Sequence, residues 1–168
     1  IAKSPRDPRG YSNFGSSLQE QERNAEALIW FERALEADPD FDDAWRGLGA
    51  SLQALDRPLE ALPNFERAVA LDPRDYHAWG GLGAALAMLG RVEEAEVAHR
   101  RALEIFPDER IVTNYARVLA LLGRSDEAIE MYRQALRLDR NQAPAAMQLG
   151  LLYDELGRPA DAIPQLRR

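Results

Sequence analysis

The chain has 168 residues, 46% of them hydrophobic and 29% charged, which is the composition of a globular domain large enough for a core. Its net charge of −7 and dispersed basic residues argue against nucleic-acid binding, and no apolar run reaches the ~18–20 residues that cross a bilayer. The absence of cysteine excludes disulfides, thiolate zinc sites and a cysteine nucleophile. We expect a cytoplasmic protein. Because the sequence does not open on methionine, we also expect that its natural N-terminus precedes Ile1.

From the N-terminus, a tail of residues 1–7 is followed by a repeating pattern. The stretch AWRGLGASL at 44–52 returns as AWGGLGAAL at 78–86, a shift of 34 residues. Alanines and prolines keep nearly the same step: Ala27, Ala61, Ala95, Ala128, Ala162, and Pro39, Pro73, Pro107. Such a period indicates stacked structural repeats. The pattern predicts a single domain over 1–168 with units at 8–41, 42–75, 76–108, 109–142 and 143–168.

Each unit is predicted to contain two amphipathic helices. In the second unit, apolar residues recur at helical spacing in both halves: Trp45, Leu48, Leu52, Leu55, then Leu62, Phe65, Val69. A left-handed residue is expected to end the first helix of each pair, as glycine at Gly90, Gly123 and Gly157, with Glu22 and Asp56 as poorer substitutes. Asp7-Pro8 is typical of an N-cap followed by proline in the first helical turn.

These residues resemble the tetratricopeptide repeat (TPR) family, whose pattern is W-x2-L-G-x2-L, then A-x3-F-x2-A, then P. The second unit supplies Trp45, Leu48, Gly49, Leu52, Ala61, Phe65, Ala68 and Pro73, and the other units match it less completely. The resemblance implies an all-α superhelix, a TPR solenoid of five helix-turn-helix repeats with the last one truncated. It also implies a noncatalytic scaffold or adaptor that binds a protein or peptide in its concave groove.

Small residues recur at one position of the first helix: Gly15, Gly49, Gly83, Gly150, and Ala116 in the fourth unit. We expect them to let the two helices of a unit approach closely, opposite alanines such as Ala95. This interpretation explains Gly83 and leaves Gly80 and Gly81 unexplained.

Gly80 and Gly81 need a separate reason, because glycine inside a helix costs about 0.5–1 kcal/mol relative to alanine. In the resembling family this side of the helix lines the concave surface. We therefore expect a bare apolar floor on which a partner's backbone rests, with arginines nearby to bind its acidic groups. The predicted partner-binding residues are Arg46, Gly47, Ala50, His77, Gly80, Gly81, Ala84, Ala87, Met88, Arg110, Thr113, Asn114 and Arg117.

No catalytic residue, metal or cofactor is expected. His99 stands where other units have Phe31 or Phe65, which indicates a half-buried packing residue, and His77 is expected at the surface. The carboxylate clamp known in the family is absent, because its groove positions hold small residues: Ser12, Ser16, Ala50, Gly80 and Ala84.

Two alternatives remain open at this stage. Asn13 and Asn114 resemble the asparagine series in the TPR arm of O-linked N-acetylglucosamine transferases, so the chain could recruit substrate for a larger enzyme, although Gly47 and Gly81 interrupt the series. The second alternative is self-association, because the last unit stops inside its second helix. Without a covering neighbour, five apolar residues would be exposed there: Leu149, Leu152, Tyr153, Ile163 and Leu166.

Overall fold

The computed structural model describes residues 7–139, 141–158 and 161. Within these residues the chain forms nine α-helices and no strand. The helices are α1 (Pro8–Glu20), α2 (Asn24–Ala37), α3 (Asp42–Ala54), α4 (Pro58–Leu71), α5 (Tyr76–Met88), α6 (Val92–Ile105), α7 (Glu109–Leu121), α8 (Ser125–Leu138) and α9 (Ala143–Glu155). The expected second helix of the fifth unit, with Ala162, Ile163 and Leu166, lies outside the described residues.

A left-handed residue ends the first helix of each pair, as predicted. Gly90, Gly123 and Gly157 have φ of 74°, 74° and 66°, and Glu22 and Asp56 adopt 59° and 56°. At the turn after α5, the Arg91 amide donates to the Leu86 carbonyl at 2.9 Å, and the Gly90 amide donates to the Ala87 carbonyl at 3.1 Å. These two hydrogen bonds satisfy carbonyls that the helix end leaves free. The turn therefore reverses the chain within three residues, from Leu89 to Arg91.

Aspartate caps begin three of the first helices. The carboxylate of Asp75 accepts hydrogen bonds from the backbone amides of His77 at 2.8 Å and Ala78 at 3.1 Å. Asp7 and Asp108 cap α1 and α7 in the same way. The cap satisfies free amides and places negative charge at the positive end of the helix dipole. These caps mark where the first, third and fourth units begin.

The helices form two layers. The Cα atoms of successive first helices (α1, α3, α5, α7, α9) come within 8 Å of one another, whereas in the described chain those of successive second helices (α2, α4, α6, α8) do not. The first helices therefore form the inner layer of the superhelix. The face of this layer that points away from the second helices is the concave surface. The apolar core lies between the layers in three clusters, which contain the buried rings of Phe31, Phe65 and Tyr132.

Candidate functional site on the concave surface

The concave surface is built from residues spaced seven and eleven positions apart on each first helix, which places them on one helical face. On α5 this face carries His77, Ala84 and Met88, and on α7 it carries Arg110, Arg117 and Leu121. The neighbouring helices contribute Ala50 and Ala54 on α3, and Met147 and Leu151 on α9. All of these side chains are exposed or half-buried. Together they define the candidate site.

The structure overturns the prediction that Gly47 and Gly81 form a bare floor. A Cβ atom on Gly81 would lie 2.3 Å from Cε1 of Phe65, and one on Gly47 would lie 2.3 Å from Cε1 of Phe31. Both rings belong to the preceding repeat and are fully buried. These positions are glycine because a ring of the protein itself occupies the space of a side chain; Gly47 is buried and Gly81 is half-buried.

Gly80 is also a packing residue. It is buried, and a Cβ there would lie 2.8 Å from Cδ1 of Ile111 in the following repeat. Gly83 makes room within its own repeat. The atoms nearest to a Cβ on Gly83 belong to the ring of His99, at 2.7 Å. The glycines of α5 thus contact three successive repeats.

Two further predicted contact residues are engaged within the chain. The guanidinium of Arg46 pairs with Asp43, and its Nε lies 2.8 Å from Oδ2 of the α5 cap Asp75. Thr113 is buried, and its hydroxyl lies 2.5 Å from Oε1 of Gln142 at the start of α9. Thr113 joins α7 to α9 and is too buried to face a partner, so its prediction is wrong. Arg46 joins α3 to α5 but stays half-buried, so its contact with a partner remains a prediction.

The remaining predicted residues do lie at the concave face. Arg110 and Arg117 are exposed, Asn114, Ala84 and Ala87 are half-buried, and Met88 is 43% exposed. Sequence reasoning missed Leu121, which is 62% exposed. The spacing from Arg110 to Arg117 to Leu121 is that of one helical face and could have revealed it.

The family models match most of the chain. One tetratricopeptide-repeat model matches residues 40–108 and 76–141, and a second matches residues 8–41. The protein belongs to the tetratricopeptide repeat family. No curated protein is significantly similar to this TPR chain in sequence.

Solved structures share the TPR architecture. PilF of Pseudomonas aeruginosa is 25% identical with a TM-score of 0.84, over 94% of this chain and 72% of its own. A thermophilic TPR protein of Thermus thermophilus is 28% identical with a TM-score of 0.81, over 94% and 87%. YrrB, described as a TPR protein with an unusual peptide-binding site, is 25% identical with a TM-score of 0.73, over 96% and 84%.

The two histidines of this TPR chain differ in environment. His99 is fully buried, and neither ring nitrogen has a hydrogen-bond partner among the described residues. Burial, with a smaller contribution from the positive charge of Arg117, lowers the pKa of His99 to about 4, so the ring is neutral at pH 7. Partial burial and the charge of Arg46 also lower the pKa of His77, which stands at the concave edge. His99 is more deeply buried than predicted, in the place that Phe65 holds in the preceding repeat.

Other site classes find no support in the part of the chain that the structure describes. No cluster of metal-ligating side chains occurs there. None of its helices is both long and apolar enough to span a membrane. The prediction of an exposed apolar end is wrong for Leu149, Leu152 and Tyr153, which are buried, while Ile163 and Leu166 lie outside the described residues.

Proposed function

We propose that this TPR solenoid is a noncatalytic scaffold that binds a protein or peptide segment along its concave surface. The observation that carries the proposal is the row of exposed apolar side chains across consecutive first helices, Met88, Leu121 and Leu151, which are 43%, 62% and 52% exposed. Apolar patches of this kind mark interaction surfaces on soluble proteins. The peptide-binding site named for the similar protein YrrB supports a binding role for the fold.

The chemistry of the surface suggests the composition of the segment. Ala50 and Ala84 leave the middle shallow, so a backbone or small side chains can approach there. Arg110 and Arg117 follow on α7, and among the described residues no carboxylate lies within 4 Å of the Arg117 guanidinium. Arginine suits carboxylate recognition because its fork can donate two hydrogen bonds. We therefore propose a segment with apolar side chains and at least one acidic group.

Selection from a random peptide library displayed on phage, with the full chain as bait, tests this proposal. We expect the selected peptides to combine apolar and acidic residues and to lose binding to an Arg117→Glu, Leu121→Lys double variant. The Ala98→Met variant is altered on the opposite side of the inner layer and should still bind the selected peptides. Selected peptides without acidic residues, or with equal binding to the double variant, would contradict the proposal.

The other expectations remain predictions. Recruitment of substrate for a larger enzyme, such as a glycosyltransferase, requires a catalytic domain in the natural protein. Self-association requires a molecular mass in solution that rises with concentration. The single-domain division into five repeats and the cytoplasmic location also remain proposals.

A further inference from the structure

A pocket lies behind α5, on the side opposite the concave surface. It has a volume of about 250 Å³ and opens between α4 and α6. Its floor consists of Trp79, Leu82 and Leu86 on α5, and its walls include Val97 and Ala98 on α6. For comparison, a cavity of about 150 Å³ lined by apolar side chains takes up benzene. The pocket therefore has room for an aromatic ring.

The first repeat shows what fills this position when the chain supplies its own side chain. Residues 68 positions upstream of Trp79, Leu82 and Ala98 are Tyr11, Phe14 and Trp30. The Trp30 ring packs on Phe14 with centroids 4.4 Å apart and on Tyr11 with centroids 6.0 Å apart.

The other repeats place Asn64 and Met131 at the equivalent position. Among these positions in the four described second helices, Ala98 has the smallest side chain. The adjacent Val97 remains 56% exposed. The third repeat thus has an open apolar site. In the first repeat, the Trp30 ring fills the equivalent site.

From this we infer that the pocket behind α5 binds a partner peptide that inserts one tryptophan or phenylalanine side chain, much as Trp30 packs in the first repeat. The partner segment also carries a basic residue next to the aromatic one. This second feature follows from the charge at the rim, where Glu66, Glu94 and Arg91 line the opening. Arg91 is bound by Glu94 at 2.7 Å and also lies in the field of Glu66, so the three groups leave one net negative charge at the rim.

The site is separate from the concave surface and does not depend on its function. Trp79, Leu82 and Leu86 lie on the face of α5 opposite His77, Ala84 and Met88. A partner could therefore hold the solenoid from behind while another segment occupies the concave groove.

A titration of the ¹⁵N-labelled full chain with N-acetyl-Lys-Trp-amide tests the inference. We expect saturable shifts of the backbone amides of Leu86, Val97 and Ala98. N-acetyl-Lys-Ala-amide should cause no such shifts, and N-acetyl-Glu-Trp-amide should bind more weakly. Ala98→Trp and the milder Ala98→Met, which introduces the residue of the fourth repeat, should both abolish the shifts. Gly10→Ala, at an exposed position of α1 outside both surfaces, is the control that should retain them.

Four results would overturn the inference. The probe could shift amides elsewhere and leave these three unchanged. Binding could persist in the folded Ala98→Met variant. The Glu-Trp and Lys-Trp probes could bind equally, which would remove the charge argument. Finally, the wild-type chain could form a dimer that Ala98→Met dissociates, which would make a second copy the occupant of the pocket.

Discussion

Phe65 occupies the space that a side chain on Gly81 would need: the ring Cε1 lies 2.3 Å from the position of the missing Cβ. A Cβ on Gly49 would approach the same ring to 3.0 Å. Phe65 therefore fits between glycines of its own repeat and of the next. Phe31 occupies the same kind of site between Gly15 and Gly47. The glycines that suggested a binding floor instead join one repeat to the next.

Replacement of Gly81 by alanine should destabilise the protein. The ring of Phe65 is 1% exposed and cannot move aside freely, so we expect a loss of about 1–3 kcal/mol in the free energy of unfolding. Urea denaturation followed by circular dichroism measures this loss. Gly10→Ala is the matched control, because Gly10 is an exposed helical glycine near only the Asp7 side chain, and it should be neutral or stabilising by up to about 1 kcal/mol. Equal stability of Gly81→Ala and wild type would contradict the packing role.

Acid should destabilise the third repeat through His99. The pKa of His99 is about 4 in the folded protein, below its ordinary value of about 6.5, so the unfolded chain binds the proton more readily. The contribution of the neutral ring to the free energy of unfolding is fully present above pH 6.5. It falls as the pH drops toward 4, by about 3 kcal/mol in all.

His99→Phe isolates this effect from the protonation of carboxylates. Phenylalanine stands at the equivalent position in the second repeat, opposite Gly49, so the variant is expected to fold. Urea unfolding at several pH values between 4 and 7.5 should show a shallower decline for the variant than for wild type. Parallel declines would mean that His99 does not titrate as its burial requires.

The turn at Glu22 should be improved by glycine. Glu22 has a φ of 59°, and a left-handed conformation costs a residue with a side chain about 1–2 kcal/mol. Glycine removes this cost but loses more entropy on folding, so Glu22→Gly should stabilise by about 0.5–1 kcal/mol. Gly90→Ala makes the opposite change at an equivalent turn and should destabilise. Thermal unfolding of the two variants would refute this account if the shifts had the same sign.

The sequence predicted the repeat and its turns because both are local. The left-handed Gly90 and the Asp7 cap each follow from a few neighbouring residues, and the 34-residue step follows from comparing short stretches of the chain. The role of Gly81 was not local. Helical spacing places Gly81 on a face of α5, but it does not say how far the preceding repeat is rotated, and this rotation brings Phe65 onto the glycine. The ion pair of Arg46 with Asp75 was hidden for the same reason.

The most direct test of the concave binding site is the affinity of a selected acidic peptide for charge-reversed variants, measured by titration calorimetry. Arg117→Glu changes the concave surface, and Arg101→Glu makes the same charge change on the outer helix α6. Both arginines are exposed, so melting curves should show that both variants fold. We predict that Arg117→Glu weakens binding about tenfold or more while Arg101→Glu leaves it nearly unchanged. Equal affinity of wild type and Arg117→Glu would contradict the proposed site.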